Sequence, residues 1–288
     1  MSRSISWLAL ALASAALASP AAAASDGRPA VPDAVIAAQR AALAAATAGA
    51  GFGPQAPRDL AATAGSNARV FSTSPEATEM ALCDIHFHES AEHKGGEFTT
   101  YAGNGDGKGY GTGYRYDGKL TEAELAPFDG KVGATGHGEL VPGDTIEIHF
   151  VHSTAQATLG NSLGTCLSDA IGNPQLRVET VVGVLVNDPK AADFTTMAKI
   201  ETIDGRNQVP NLPADLGTPV IYAGSTTGPG YNEKGSPFQV TWSVRPKVVK
   251  IDIASVGRWL ADNPFDERYA HGVRNLVVNP DLLSPIGN

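Results

Sequence analysis

Residues 145–152 read Thr145-Ile146-Glu147-Ile148-His149-Phe150-Val151-His152. Apolar Ile146, Ile148 and Phe150 alternate with Glu147 and His149. A period of two predicts a strand, with Glu147 and His149 on one face and the apolar side chains on the other. Ile85-His86-Phe87-His88 repeats the pattern. On a strand His86 and His88 point the same way, roughly 7 Å apart at Cα, with Ile85 and Phe87 turned to the opposite, core side. His86 and His88 with His149 from a neighbouring strand make three corners of a tetrahedron. Three neutral imidazoles around Zn²⁺ leave the fourth position to water, the arrangement of catalytic rather than structural zinc. Asp84 shares a face with His86, and Glu147 with His149. These carboxylates are placed to accept the second ring N–H and fix each tautomer.

Outward from these two stretches the strand signal continues. Residues 178–186 (VETVVGVLV), 238–244 (FQVTWSV) and 248–253 (VVKIDI) are dense in Val, Ile and Thr, and 32 Gly and 19 Pro among 288 residues supply the turns. Residues 256–260 read as a short helix. The chain is therefore expected to be mainly β with minor α. Residues 25–53 are Ala-rich and helical, with Asp33 as N-cap and Gly49 to Gly53 as terminator. Residues 54–288 carry neither a repeat nor a linker and read as one domain. The Gly-rich run 103–113 (GNGDGKGYGTG) lacks the flanking strand and helix of a phosphate loop. It also lacks the closing carboxylate of a calcium loop, so it reads as a long surface loop. His93, His137 and His271 read as structural.

The first residues do not belong to the fold. Arg3, a short apolar run to Leu17 and the small-residue exit Ala21 to Ala24 predict a secretory signal peptide at 1–24, and hence a secreted or periplasmic protein. The apolar run is too short for a membrane anchor, and no later stretch is long enough. The only two cysteines, Cys83 and Cys166, then face an oxidising compartment, where a disulfide is the expectation and a catalytic thiol the competing reading. A loop of about 80 residues would be closed, worth roughly 4 kcal/mol. Two cysteines cannot build a Cys-rich zinc site. With 30 acidic against 21 basic residues the net charge is −9, and it becomes −10 once Arg3 is removed. That excludes a general nucleic-acid or anionic-membrane partner.

The motif HFHxxxEH followed by EIHFVH resembles the zinc site of alpha-class carbonic anhydrases. The run Gly224-Ser225-Thr226-Thr227-Gly228 through Trp242, with Ala91-Glu92-His93-Lys94-Gly95 and His271-Gly272-Val273-Arg274-Asn275, is similar more specifically to the delta class. The blocks stand in family order over about 50–280. The resemblance implies a large, twisted, mostly antiparallel central sheet with zinc at its base. It implies reversible hydration of carbon dioxide to bicarbonate by zinc-bound hydroxide. Carried over, it makes His86, His88 and His149 the zinc ligands. Thr226 becomes the hydroxyl that orients the nucleophile, and Glu92 the carboxylate that accepts the proton of Thr226. Thr227 borders the substrate site, and Val151, Val181 and Trp242 form the apolar wall for carbon dioxide. The pattern departs at Ser66-Asn67-Ala68-Arg69, where Arg69, which cannot exchange protons near neutral pH, stands in place of a proton-shuttling His. Ser225 stands where the alpha class has Leu, and Gly235 where delta-type sequences often have Cys. The rival readings are a cupin-type metalloenzyme, in which Glu92 would be a metal ligand, and an exported zinc-binding module without catalysis.

Overall fold

The computed structural model describes residues 30–49, 57–63, 71–227 and 235–273, with side chains omitted at 47, 225–227 and 235–237. The expected signal peptide, Ser66 to Arg69, the run 228–234 and residues 274–277 lie outside the described residues, as do the side chains of Thr226 and Thr227.

In chain order the elements are α1 (Asp33–Thr47), β1 (Ala81–Glu89), β2 (Thr100–Asn104), β3 (Thr112–Arg115), β4 (Val132–Thr135), β5 (Gly138–Leu140), β6 (Thr145–Ser153), β7 (Leu176–Val186), α2 (Phe194–Met197), β8 (Glu201–Ile203), β9 (Arg206–Gln208), β10 (Val220–Thr227), β11 (Gly235–Asp252) and α3 (Ile253–Ala261). A central sheet runs in the order β1-β6-β7-β11-β10, and β2-β3, β4-β5 and β8-β9 form separate two-stranded ribbons. Three central pairings are antiparallel and one, β7 with β11, is parallel, so the mostly antiparallel expectation holds within a mixed sheet.

Strand periodicity sorts the side chains onto two cores. On one face Ile85, Phe87, Ile146, Ile148, Phe150, Val181 and Leu185 pack with Phe194 of α2 and with Trp259 and Leu260 of α3. Each such side chain contributes about 1.5–3 kcal/mol on burial. On the other face Val151, Val178, Val182, Tyr222, Val240, Trp242 and Val244 form a second cluster around Cys83 and Cys166. The polar site lies on this second face.

A β-bulge makes the division possible. Leu82 pairs with His152 but Asp84 pairs with Val151, so Cys83 is the extra residue. Leu82 joins the first core, while Cys83 joins the second and Asp84 lines its cavity.

The helices depart slightly from expectation. α3 begins at Ile253, because the Asp252 side chain accepts from Ala254 N at 3.2 Å and caps it. Asp33 is not the N-cap of α1. Pro32 takes that position, and Asp33 lies in the first turn, where its negative charge suits the helix dipole. Its carboxylate accepts from Asn104 Nδ2 at 2.7 Å. α1 buries Ile36 and Leu43, seven residues apart on one stripe.

His152 is buried in β6, its Nδ1 3.0 Å from Phe150 O. Burial pushes the imidazole down to about 4, against the pull of Glu179. The unfolded chain takes up this proton near 6.5, so stability falls as pH drops from 6.5 to 4. The stability of wild type relative to His152→Leu is expected to fall by about 2–3 kcal/mol from pH 7 to 4.5. Urea unfolding of metal-free protein at both pH values measures it, and a gap independent of pH would count against the buried neutral histidine.

Candidate metal centre

Antiparallel pairing of β1 with β6 sets His86 directly opposite His149. The ring centroids of His86, His88 and His149 lie 4.8–5.2 Å from one another. Each ring has one nitrogen tied outward. His86 Nδ1–H donates to Asp84 Oδ2 at 2.6 Å, His88 Nδ1–H to the Gly272 carbonyl at 3.1 Å, and His149 Nε2–H to Glu147 Oε1 at 2.7 Å. The inner nitrogens are then His86 Nε2, His88 Nε2 and His149 Nδ1, each a bare lone pair.

The donor set can be tested for fit. His149 Nδ1 and His86 Nε2 face each other at 3.2 Å, although both ring protons are committed elsewhere. Two lone pairs at that distance repel unless a cation lies between them. Metal–nitrogen bonds of 2.0–2.1 Å at tetrahedral angles would space ligand nitrogens by about 3.3 Å. His86, His88 and His149 therefore fit a zinc-type ion. Burial holds His88 well below the ordinary imidazole range and His149 at about 4, so both stay neutral and able to ligate. Burial also works against charge on His86, but Asp84 outweighs it and raises that group.

Glu147 is itself held. Its Oε1 also accepts from His93 Nδ1 at 2.7 Å, and its Oε2 from His93 N at 2.9 Å. Burial opposes its charge, but His93 and His149 together keep the carboxyl well below the usual range. His93 Nε2 accepts from the Tyr222 hydroxyl at 2.7 Å, and the Arg58 guanidinium lies 5.0 Å from the Tyr222 ring centroid. His93 is thus structural, and what it orients is the carboxylate behind His149. Glu92 is buried beside the site, Oε1 3.4 Å from His88 Nδ1. Glu92, Glu147 and His149 form a second donor cluster, but His149 uses its Nε2 there to bond Glu147.

The three imidazoles open into a cavity of about 230 Å³. Val151 and Trp242 line it, and Trp242 also meets the His149 ring edge-on at 5.1 Å. Val181 does not line it. It pairs with Ile148, so strand parity sends it to the opposite core. Val178, opposite Val151, takes its place, with Val240, Leu176 and Leu163. Parity within residues 178–186 alone does not carry this signal, because the register against β6 decides it. Asn161, Ser162 and His271 add polar edges. Asp84 Oδ1 and Trp242 Nε1 are buried with no hydrogen-bond partner among the described residues.

His271 stands close to the three imidazoles, although it reads as structural in the sequence. Its ring stacks on His86 with centroids 5.3 Å apart, and Glu267 Oε2 accepts from its Nε2 at 2.8 Å. Backbone bonds from His271 N to Phe87 O and from Glu89 N to His271 O, both 2.8 Å, dock the segment beside β1.

Cys83 and Cys166 form the expected disulfide. No helix among the described residues is long and apolar enough to cross a membrane.

A family model described as delta carbonic anhydrase matches residues 77–255, well over half of the chain. The chain belongs to the delta carbonic anhydrase family. Its match takes in His86, His88 and His149 and the strands β1, β6, β7, β10 and β11, and ends three residues into α3. Alpha-carbonic anhydrases are among the solved structures similar to this delta carbonic anhydrase family member. That of Photobacterium profundum is 19% identical over 80% of this chain and 89% of that one, with a TM-score of 0.26. That of Thermovibrio ammonificans, in complex with the inhibitor sulfanilamide, is 15% identical over 77% and 84%, with a TM-score of 0.25. Among curated proteins none matches the chain.

Proposed function

We propose that this protein is an exported zinc enzyme that hydrates carbon dioxide reversibly to bicarbonate. The observation that carries the reading is a cluster of three imidazoles with facing lone pairs, at the edge of a cavity walled by Val151, Val178, Val240 and Trp242. His86, His88 and His149 would hold the metal. When bound, zinc supplies the Lewis acidity that makes a nucleophile of water near neutral pH.

The chain's own residues supply the remainder. Asp84, Gly272 O and Glu147 fix the ring tautomers, so no ligand need reorganise. The apolar wall accepts a small apolar electrophile and excludes bulk water. Glu92 is proposed to accept the proton of the Thr226 hydroxyl, which leaves Thr226 only an acceptor's role and aims the attacking oxygen at carbon. Thr227 is proposed to border the substrate. The disulfide and the Arg3 to Ala24 pattern support export.

Stopped-flow hydration of carbon dioxide, with and without a chelator, tests the reading. Zinc-loaded protein that gives no acceleration over buffer would favour the exported binding module. Thr226→Ala is expected to keep stoichiometric zinc and lose on the order of 100-fold in hydration rate. Loss of zinc from that variant would show that Thr226 supports the metal instead. The cupin-type alternative needs a double-sheet jelly roll, and the single mixed sheet of the described residues does not supply one.

A further inference from the structure

The Gly-rich run 103–113 reads in the sequence as a long surface loop. It is instead the tip of the β2–β3 ribbon, with Gly107 and Gly109 buried. We infer that this tip is an outer brace for the metal centre, and that Gly272 is a positioning residue for His88. The inference rests on the proposed three-histidine site.

The brace can be traced bond by bond. His88 Nδ1–H donates to Gly272 O, which fixes the tautomer that leaves Nε2 inward. Gly272 belongs to the His271–Val273 segment, docked on one side to β1. On its other side Val273 N donates to Gly109 O at 2.8 Å. The approach is close. A Cβ on Gly272 would lie 3.0 Å from Gly109 C and 3.2 Å from Lys108 O. The tip keeps its shape because Gly105 (φ +57) folds back on Tyr110, where a Cβ would lie 2.0 Å from the Tyr110 carbonyl oxygen. Neighbours pin the tip from outside. Gln39 of α1 donates from Nε2 to Gly107 O at 2.6 Å, Val31 N donates to Gly105 O at 2.8 Å, and the Tyr110 ring stacks on His137 at 3.9 Å. A path of direct contacts therefore runs from α1 through the glycine tip and Gly272 to one metal ligand.

The test compares Gly272→Ala, Gly105→Ala and Gln39→Ala with Gly205→Ala. Gly205 (φ +75) lies in the β8–β9 turn, with open space where a Cβ would go, so its substitution repeats the backbone strain of Gly105→Ala away from the site. Zinc affinity is read by competition with a chelator, and folding by circular dichroism and thermal unfolding of metal-free protein. Gly272→Ala and Gly105→Ala are expected to bind zinc roughly 10- to 100-fold more weakly, the usual cost of losing an outer partner of a ligand. Gln39→Ala should release zinc a few-fold faster, by the same argument in milder form. Gly205→Ala should unfold at a lower temperature and bind zinc as wild type does. Hydrogen exchange at the Val273 amide in metal-free protein should quicken in Gly105→Ala. Wild-type zinc affinity in folded Gly272→Ala and Gln39→Ala overturns the brace and leaves the three-histidine reading standing. So does an unchanged Val273 exchange rate in Gly105→Ala. Failure of the three-histidine reading would appear in the wild-type chain itself, as absence of zinc binding.

Discussion

His149→Ala is expected to lose the metal, and with it hydration above the buffer rate. His86 and His88 share one strand, β1. His149 is the only one of the three that comes from β6. Without it two imidazoles remain, and Glu147 keeps its donors from His93 but loses the one from His149. Removing a ligand outright should exceed the 10- to 100-fold cost of removing an outer partner, so affinity should fall by more than about 100-fold. Elemental analysis after dialysis measures it as zinc per chain. Stoichiometric zinc in the variant, with a carboxylate in the metal's coordination shell by X-ray absorption, would move the ligand set toward Glu92 and Glu147.

The second large effect is on stability. The Cys83–Cys166 bond closes a loop of 83 residues in sequence separation, which the chain-entropy model values at about 4 kcal/mol. It also fastens the segment after β6 that carries Asn161, Ser162 and Leu163 into the cavity wall. Gly160 N donates to Cys83 O at 3.1 Å, and Ser153 Oγ to Cys166 O at 2.6 Å. A Cys83→Ser, Cys166→Ser double variant should lose about 2–5 kcal/mol in urea unfolding, and wild-type protein under reductant should match it. A loss below about 1 kcal/mol would show that these hydrogen bonds hold the segment unaided.

Much of this was legible in the residues because strand parity is rigid. The alternation in residues 145–152 assigned Ile148 and Phe150 to a core, and Glu147 and His149 to the opposite face. The structure keeps those assignments. What parity could not supply was pairing register. Val181 and Val178 lie three apart in one run of valines, and only knowing that Val151 faces Val178 decides which lines the cavity. Long-range partners were similarly out of sight. Nothing near His88 in sequence announces that its acceptor is the carbonyl of Gly272, 184 residues away. Nothing near Glu147 announces that His93 and Tyr222 stand behind it. The Gly-rich run misled because glycine content reports backbone freedom, and the same freedom serves a loose loop or a tightly folded tip.

The bulge at Cys83 acts as a change of reading frame within one strand. Upstream of it even-numbered positions face one side of the sheet, and downstream they face the other. The imidazoles at 86 and 88 thus face the cavity only because Cys83 stands unpaired before them. That same residue carries the sulfur that ties down the cavity wall. Deleting Cys83 would remove the cross-link and the bulge together and leave the frame intact, since Leu82 opposite His152 would run straight on to Asp84 opposite Val151. Pairing Cys83 as an ordinary strand residue is what would turn His86 and His88 into the apolar core and bring Ile85 and Phe87 out to the cavity.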